Sequence, residues 1–125
     1  MILIDSSVWI DYFKGGVESA LLSDLIINNL VLTNEIILTE IIPLLKKRNQ
    51  HGLVHTLLSF EKLDLDVFWE GIRKIQLLNL NSGVNKVGLP DLLIAQQCVD
   101  KNVELWSFDK HFKMMSEYLE LKLFN

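Results

Sequence analysis

The sequence predicts a single α/β domain whose helices flank a mostly parallel central sheet. The chain has 125 residues, a length that suits one hydrophobic core. Half of the residues are hydrophobic, which excludes a disordered segment. Short apolar runs alternate with longer segments of helical periodicity, and this alternation is typical of three-layer domains with parallel strands.

The strand predictions rest on short apolar runs between polar segments. The first run, residues 1–4, is continuously apolar, as expected of a strand that is buried on both faces. The segment 103–107 follows a predicted helix and contains Val103, Leu105 and Trp106. The predicted strands cover residues 1–4, 30–33, 62–65, 103–107 and 119–124.

The helix predictions rest on periodicity and on the residues at the helix ends. Val17, Leu21 and Leu25 are four residues apart and so share one helix face. The segment 34–48 ends in a basic turn that suits the helix dipole, while Pro43 inside it predicts a kink or a break. The predicted helices cover residues 17–29, 34–48, 50–60, 67–80, 90–101 and 110–117, and the Asn- and Gly-rich segment 79–90 is predicted to be a loop.

The charge and the cysteine content restrict the function. Twelve Lys and Arg against sixteen Asp and Glu give a net charge of −4, whereas a domain that binds nucleic acid by bulk charge is normally basic. The single cysteine, Cys98, cannot form an internal disulfide. The first residues lack the basic start of a signal peptide, and no apolar stretch approaches the roughly 20 residues of a membrane helix. We therefore expect a cytoplasmic protein that does not enter a membrane.

Two acidic residues are predicted to stand at the carboxyl ends of strands. Asp5 follows the first apolar run directly, and Asp109 lies just beyond the predicted strand 103–107. In parallel sheets, ligands bind outside these strand ends. The alternative for each residue is a helix N-cap, a position that strongly favours Asp.

Two further acids share helix faces with apolar residues. Glu40 lies between Ile37 and Ile41 in the pattern of its helix, and Asp91 precedes Ile94 by three residues. We therefore expect both carboxylates on buried faces, where charges are rare unless they are paired or bind a metal. The alternatives are a cap for Asp91 and a buried salt bridge or a hydrogen-bonded core carboxylate for Glu40.

Four carboxylates at one sheet edge repel each other unless cations lie between them. One pair of like charges at ~4 Å costs about 1 to 4 kcal/mol, depending on the local dielectric. Sites made of oxygen ligands suit Mg²⁺ or Mn²⁺, and a pair of such ions can clamp a phosphodiester during an in-line displacement. The four acids together carry a charge of −4, which equals the net charge of the chain. Cations bound to them would supply the positive charge that a phosphate requires.

Four passages of the sequence, in order along the chain, are ILIDSSVWIDYF (2–13), TNEIILTEI (33–41), LPDLLIAQQC (89–98) and LWSFDKHF (105–112). Together they resemble the PIN domain family, specifically the VapC-type toxins of type II toxin–antitoxin pairs. The resemblance assigns the acidic residues of the family to Asp5, Glu40, Asp91 and Asp109.

The resemblance implies that residues 1–125 form a PIN-like ribonuclease domain. The implied activity is that of an endoribonuclease that needs Mg²⁺ or Mn²⁺ and cleaves structured RNA such as tRNA or rRNA. The implied partners are a second copy of the chain, in a homodimer, and a VapB-type antitoxin whose C-terminal segment covers the acidic groove. The alternative function is a catalytically silent PIN-like module that binds RNA or another protein.

Two positions depart from the usual pattern of the family. Ser6 and Ser107 stand where threonine is usual. Because the hydroxyl is kept, both remain candidates for hydrogen bonds that support the metal ligands. Capping or turn bonding is the alternative for both residues.

Other α/β phosphoryl-transfer classes fit the sequence poorly. A response-regulator receiver domain needs adjacent acids after its first strand, but Ser6 and Ser7 follow Asp5. A haloacid-dehalogenase-like phosphatase needs a second Asp two residues after the first, which is again the position of Ser7. We reject both classes on these grounds.

Several remaining residues have simple expected roles. His51 and His55 are four residues apart, but a solvated helix face is expected because no acid stands in register with them. His111 is expected to pack or cap near the site, with phosphate contact as the alternative. The aromatic cluster Trp9, Tyr12 and Phe13 is expected in the core, with a dimer contact as the alternative. The candidates for guiding an RNA backbone are Lys14, Lys46, Lys47, Arg48 and Lys86.

Overall fold

The computed structural model describes all 125 residues, and its centre is a four-stranded parallel sheet. The strands are β1 (Ile2–Ile4), β2 (Val31–Thr33), β3 (Glu61–Lys62) and β4 (Glu104–Trp106). Their order across the sheet is β3-β2-β1-β4. Ile2 pairs with Val31 on one side and with Glu104 on the other, so β1 is central. The α/β fold class is confirmed, and the carboxyl ends of all four strands lie at one edge.

Seven helices flank the sheet. They are α1 (Ser6–Phe13), α2 (Ser19–Ile27), α3 (Glu35–Lys47), α4 (His51–Ser59), α5 (Trp69–Asn81), α6 (Leu89–Lys101) and α7 (Lys110–Met115). Most of them lie within two or three residues of the predicted bounds. None of them has the length and the hydrophobicity that a bilayer span requires.

The helix α1 was not predicted. It has eight residues, fewer than the window of about 11 to 18 residues in which helical periodicity is recognised. Asp5 occupies its N-cap, so the chain turns from β1 into α1 at this residue. The element that follows the first strand-end acid is therefore a helix.

The predicted strand at 119–124 is wrong. The alternating pattern of this segment is typical of a strand, but only Leu123 forms a bridge, to Leu105. Leu105 donates its N–H to the carbonyl of Lys122 at 2.9 Å and accepts from the N–H of Phe124 at 2.8 Å. Pairing over one residue does not make a ladder, so the C-terminal segment only lies beside β4.

The predicted break at Pro43 does not occur, because α3 continues through this residue to Lys47. Proline removes the N–H that would bond to the carbonyl of Thr39. Both Thr39 and Pro43 are exposed, so water can reach the carbonyl that loses its partner. The helix tolerates the proline for this reason.

The aromatic residues that follow β1 belong to the core. Trp9 is only 2% exposed, and its ring stacks on Phe60 and Phe13 with centroids 5.4 and 5.9 Å away. The interpretation of Trp9 as a dimer contact is therefore wrong. Since Trp9 packs α1 against the remainder of the domain, it also fixes the helix that begins at Asp5.

Candidate metal centre

Asp5 is held at the carboxyl end of the central strand. Its N–H donates to the carbonyl of Trp106 at 2.9 Å, which joins it to the end of β4. The residue is 5% exposed. Although Asp5 occupies the N-cap of α1, its side chain makes no capping hydrogen bond, so the capping alternative does not describe this carboxylate.

Two serine hydroxyls donate to the same oxygen of Asp5. Ser7 Oγ lies 2.8 Å and Ser107 Oγ 2.7 Å from Asp5 Oδ2. Each hydroxyl in turn accepts a backbone N–H, Ser7 from Phe108 and Ser107 from Asp109, both at 3.0 Å. No protein group donates to Oδ1, so this oxygen is left available to a ligand.

Ser7 is a functional residue that the sequence patterns did not indicate. Ser6, which they did indicate, instead acts on Glu40, where its hydroxyl partly offsets the raised pKa of the carboxyl group. A signal was present, since Ser7 is a hydroxyl residue two positions after a strand-end acid. Its second partner, however, lies 101 residues away along the chain.

Glu40 is exposed, so the prediction that it lies on the buried face of its helix is wrong. The buried face of α3 includes Leu38, Ile41 and Leu45, whereas Glu40 and Leu44 lie together at its solvent margin. The carboxyl group nevertheless approaches the other acids. Partial desolvation raises its pKa, and the charges of Asp5 and Asp91 raise it further.

Asp91 is half-buried in the first turn of α6. The N-cap of this helix is Gly88, so the capping alternative for Asp91 is wrong. Burial raises the pKa of Asp91 from 3.8 to about 6, with further contributions from the charges of Asp109 and Asp5, while His111 acts in the opposite direction. The carboxylate therefore stands in a strongly negative environment.

Asp109 is the N-cap of α7, as the alternative interpretation proposed. Its Oδ1 accepts the N–H of His111 at 2.9 Å, and the Nδ1 of His111 lies 3.4 Å from the same oxygen. Three possible ligand atoms lie within 4.8 Å of one another, one each from Asp91, Asp109 and His111. The capping role therefore leaves Asp109 beside Asp91, whereas Asp5 and Glu40 lie outside this group of three.

No lysine or arginine neutralises this cluster. The lysine salt bridges of the protein join Lys62 to Glu35 and Lys101 to Asp66, away from the four acids. The basic side chain that pairs with one of these acids is His111, whose Nδ1 lies 3.4 Å from Asp109 Oδ1. Carboxylate oxygens that repel each other and have no protein cation as a partner fit a divalent metal ion. The donor set therefore suits Mg²⁺ or Mn²⁺.

Cys98 lies close enough to this cluster to respond to its charge. The residue is 1% exposed, and burial together with the charge of Asp5 raises the pKa of its thiol to about 12. A thiol that stays protonated at neutral pH is a poor nucleophile. Cys98 is thus a small core residue, as the sequence predicts.

The other candidate residues lie away from the acids. His51 and His55 are exposed on α4, and neither belongs to a group that could hold a metal ion. Lys14 and Arg48 line a pocket of about 190 Å³ between α1, α3 and α4, together with apolar side chains such as Phe13. None of the four acids lines this pocket.

Comparisons with known proteins identify the fold. A sequence model of the PIN domain family matches residues 2–118. One similar solved structure is VapBC2 from Rickettsia felis, bound to a DNA fragment from its promoter. Its TM-score is 0.76 at 22% sequence identity, and the match covers 100% of this chain and 98% of that chain. VapBC-1 from nontypeable Haemophilus influenzae has a TM-score of 0.76 at 15% identity, with the same coverage of 100% and 98%. FitAcB from Neisseria gonorrhoeae has a TM-score of 0.72 at 18% identity, covering 100% of this chain and 97% of that chain.

A search of curated protein sequences finds no match. The similarity to the solved structures at these identities supports the fold, and the sequence model extends over nearly the whole chain. The chain therefore belongs to the PIN domain family.

Proposed function

We propose that this chain is a VapC-like toxin, a Mg²⁺- or Mn²⁺-dependent endoribonuclease that hydrolyses phosphodiester bonds in structured RNA. The proposed metal ligands are Asp5, Glu40, Asp91 and Asp109. The observation that carries the proposal is the convergence of Asp91 and Asp109 within 4.8 Å, with no lysine or arginine paired to any of the four acids. Removing a negative charge from such a cluster, or adding a cation, relieves the repulsion.

The residues of the chain have separate tasks in this reaction. A bound divalent ion would polarise the phosphodiester, activate water and stabilise the leaving oxygen. Ser7 and Ser107 fix Asp5 through Oδ2. Water attacks phosphorus in line and expels the ribose 3′ oxygen, so the products carry a 5′-phosphate and a 3′-hydroxyl.

The proposed RNA substrate needs contacts beyond the metal site. Lys14, Lys46, Lys47 and Arg48 are exposed on or beside α1 and α3 and are the candidates for contacts to RNA phosphates outside the metal site. Because RNA is the proposed substrate and the only cysteine is unpaired, we propose that the protein acts in the cytoplasm. Mapping the product ends after cleavage of total RNA distinguishes tRNA from rRNA as the substrate.

A VapB-type antitoxin is the proposed protein partner. Two of the solved structures that share this fold are VapBC complexes from Rickettsia felis and Haemophilus influenzae. The pocket between α1, α3 and α4 supports a protein partner because six of its nine lining residues are hydrophobic and it is open to solvent. In such a complex, the antitoxin would inhibit the nuclease.

A homodimer is the proposed state of the protein. The helix α5 exposes Trp69, Leu77 and Leu80, each by more than half, and Phe68 lies just before it. Contiguous apolar side chains on a surface indicate an interaction site. Sedimentation velocity measures the oligomeric state, and a strictly monomeric protein would contradict this part of the proposal.

The test is cleavage of total RNA with and without Mg²⁺, with the product ends mapped by sequencing. We expect wild-type protein to cut RNA only with the metal and Asp5→Asn to be inactive while it stays folded. The matched control is Asp24→Asn, because Asp24 is exposed on α2 and the change removes the same charge. Unchanged cleavage by Asp5→Asn would exclude Asp5 from the mechanism.

The silent-module alternative predicts a different result. A module without a metal site gains no thermal stability from Mn²⁺, whereas a metal site stabilises the folded state by mass action. A thermal-shift titration with Mn²⁺ therefore separates the two functions. An absent shift together with absent cleavage would support the alternative.

A further inference from the structure

The imidazole of His111 lies among the acids of the candidate metal centre. Its side chain is about three-quarters buried, with 23% exposure, and its Nδ1 is 3.4 Å from Asp109 Oδ1. A ring nitrogen of His111 and one oxygen each of Asp91 and Asp109 lie within 4.8 Å of one another. Three donor atoms from two helices thus converge on one small volume.

The spacing of these atoms fits octahedral coordination. With metal–ligand bonds of about 2.1 Å, neighbouring ligand atoms are separated by about 3 Å and opposite ones by about 4.2 Å. The observed 3.4 Å between Nδ1 and Oδ1 is close to the separation of neighbouring ligands. No two of the three donor atoms are more than 4.8 Å apart, so one ion can reach all of them.

We propose that His111 is a nitrogen ligand of the metal ion and that it makes this site prefer Mn²⁺ to Mg²⁺. The proposal rests on the metal site of the proposed function and adds a ligand that the family resemblance does not assign. The competing role of His111 is a structural ion pair with Asp109.

The chemistry of the donor decides the preference. Mg²⁺ favours oxygen ligands and keeps several waters, whereas imidazole binds first-row transition ions well. A site with two carboxylates and one imidazole therefore gains affinity for Mn²⁺, and more so for Co²⁺ or Ni²⁺, relative to Mg²⁺. The four carboxylates alone would provide no such preference through nitrogen.

A direct test is pulsed electron paramagnetic resonance of Mn²⁺ bound to the protein. The protein carries no added histidine tag, because tag histidines bind the same ions. We expect electron spin echo modulation from a coordinated ¹⁴N in the wild type and in His55→Ala, the matched control, since His55 is exposed on α4 and lies outside the cluster. The modulation should be lost in His111→Ala and in His111→Phe, which keeps a ring of similar bulk.

Affinity measurements provide a second readout. We expect His111→Ala to lose at least about tenfold in Mn²⁺ affinity, since even the hydrogen-bond partners of ligands contribute about 10- to 100-fold. Its Mg²⁺ affinity should change far less, so the Mn²⁺/Mg²⁺ preference falls. If His111 were only a structural partner of Asp109, its removal would lower the Mn²⁺ and Mg²⁺ affinities together. That result would overturn the proposal.

The outcomes separate this proposal from the proposed function. Mn²⁺ binding and RNA cleavage without nitrogen modulation in the wild type would overturn the ligand role of His111 and leave the nuclease proposal intact. Modulation that persists in both His111 variants would overturn it as well. If no divalent ion binds the wild type, both proposals are wrong.

Discussion

Replacing Asp91 with Asn should stabilise the metal-free protein at neutral pH. In the folded state the pKa of Asp91 is raised from 3.8 to about 6, mainly by burial and then by the charges of Asp109 and Asp5. A raised pKa means that the folded state disfavours the carboxylate. The contribution of Asp91 to stability is therefore fully present below about pH 4 and is lost as the pH rises through about 6.

The size of the effect follows from this shift. Two pKa units correspond to about 3 kcal/mol for a fully buried group. Asp91 is only half-buried, so solvent screening reduces this to about 1 to 1.5 kcal/mol. Its position in the first turn of α6 favours negative charge through the helix dipole. Because the pKa is nevertheless raised, burial and the neighbouring acids outweigh the dipole.

The assay is urea unfolding in EDTA at about pH 4 and about pH 7.5, the two sides of the expected transition. At the higher pH we expect the free energy of unfolding of Asp91→Asn to exceed that of the wild type by about 1 kcal/mol. Most of this difference should vanish at the lower pH, where the carboxyl group of the wild type is protonated. Asp24→Asn, on the exposed surface of α2, controls for the change in net charge. With saturating Mn²⁺ the wild type should become more stable than Asp91→Asn, because only the intact site gains binding energy.

Two results would refute this reasoning. One is a wild type that is as stable as Asp91→Asn, or more stable, at about pH 7.5 in EDTA, where the carboxylate is charged. The other is an equal gain for Asp24→Asn, because that would attribute the effect to net charge alone. In either case the acids would not form a repulsive cluster in the metal-free protein.

Two further predictions concern hydrogen bonds that hold the acids in place. In the wild type the buried amide of Asn34 donates to Gln97 Oε1 at 2.7 Å. Gln97→Leu removes this acceptor and should lower the free energy of unfolding by about 1–3 kcal/mol. An unchanged urea midpoint would contradict this. The double variant Ser7→Ala/Ser107→Ala removes both hydroxyls from Asp5 Oδ2 and should weaken Mn²⁺ binding by about tenfold. Titration with Mn²⁺ measures this, circular dichroism checks the fold, and an unchanged affinity would contradict a supporting role for the serines.

The alternation of strands and helices was predictable because each element carries its own pattern. The run that forms β1 is short and apolar, and β4 is short with two buried apolar residues. The helices α5 and α6 have strong local signals in periodicity or in an opening proline. The C-terminal segment has the alternation of a strand, yet whether it pairs depends on the space beside β4. That space is a property of the whole fold, so local pattern could not decide it.

The site was predictable where chain order determines position. Asp5 directly follows β1 and Asp109 lies three residues beyond β4, and parallel strands bring their carboxyl ends to one edge. The environment of Glu40 was not predictable in the same way, because helical spacing tells which residues share a face but not where the buried face ends. The contact of Ser7 with Phe108 depends on β4 lying beside β1, and the order of the residues along the chain does not reveal that pairing.

Two features of the fold position the proposed metal ligands. The strand order reverses at β1, which has β2 on one side and β4 on the other. This order brings Asp5 beside Ser107. Asn34 caps α3 through the N–H of Ile37 and donates its amide to Gln97 on α6. Gln97 in turn donates to the carbonyl of Asp64 at 2.8 Å.

These contacts act as a frame for the carboxylates. Glu40 lies six residues after Asn34 on α3, and Asp91 lies six residues before Gln97 on α6. The buried amide pair therefore joins the two helices about 9 Å along each axis from the acids, at 1.5 Å per residue. Mutual repulsion would drive Glu40 and Asp91 apart if their helices could separate. Because the amide pair is fully buried, it resists that separation, and the repulsion remains for a cation to relieve.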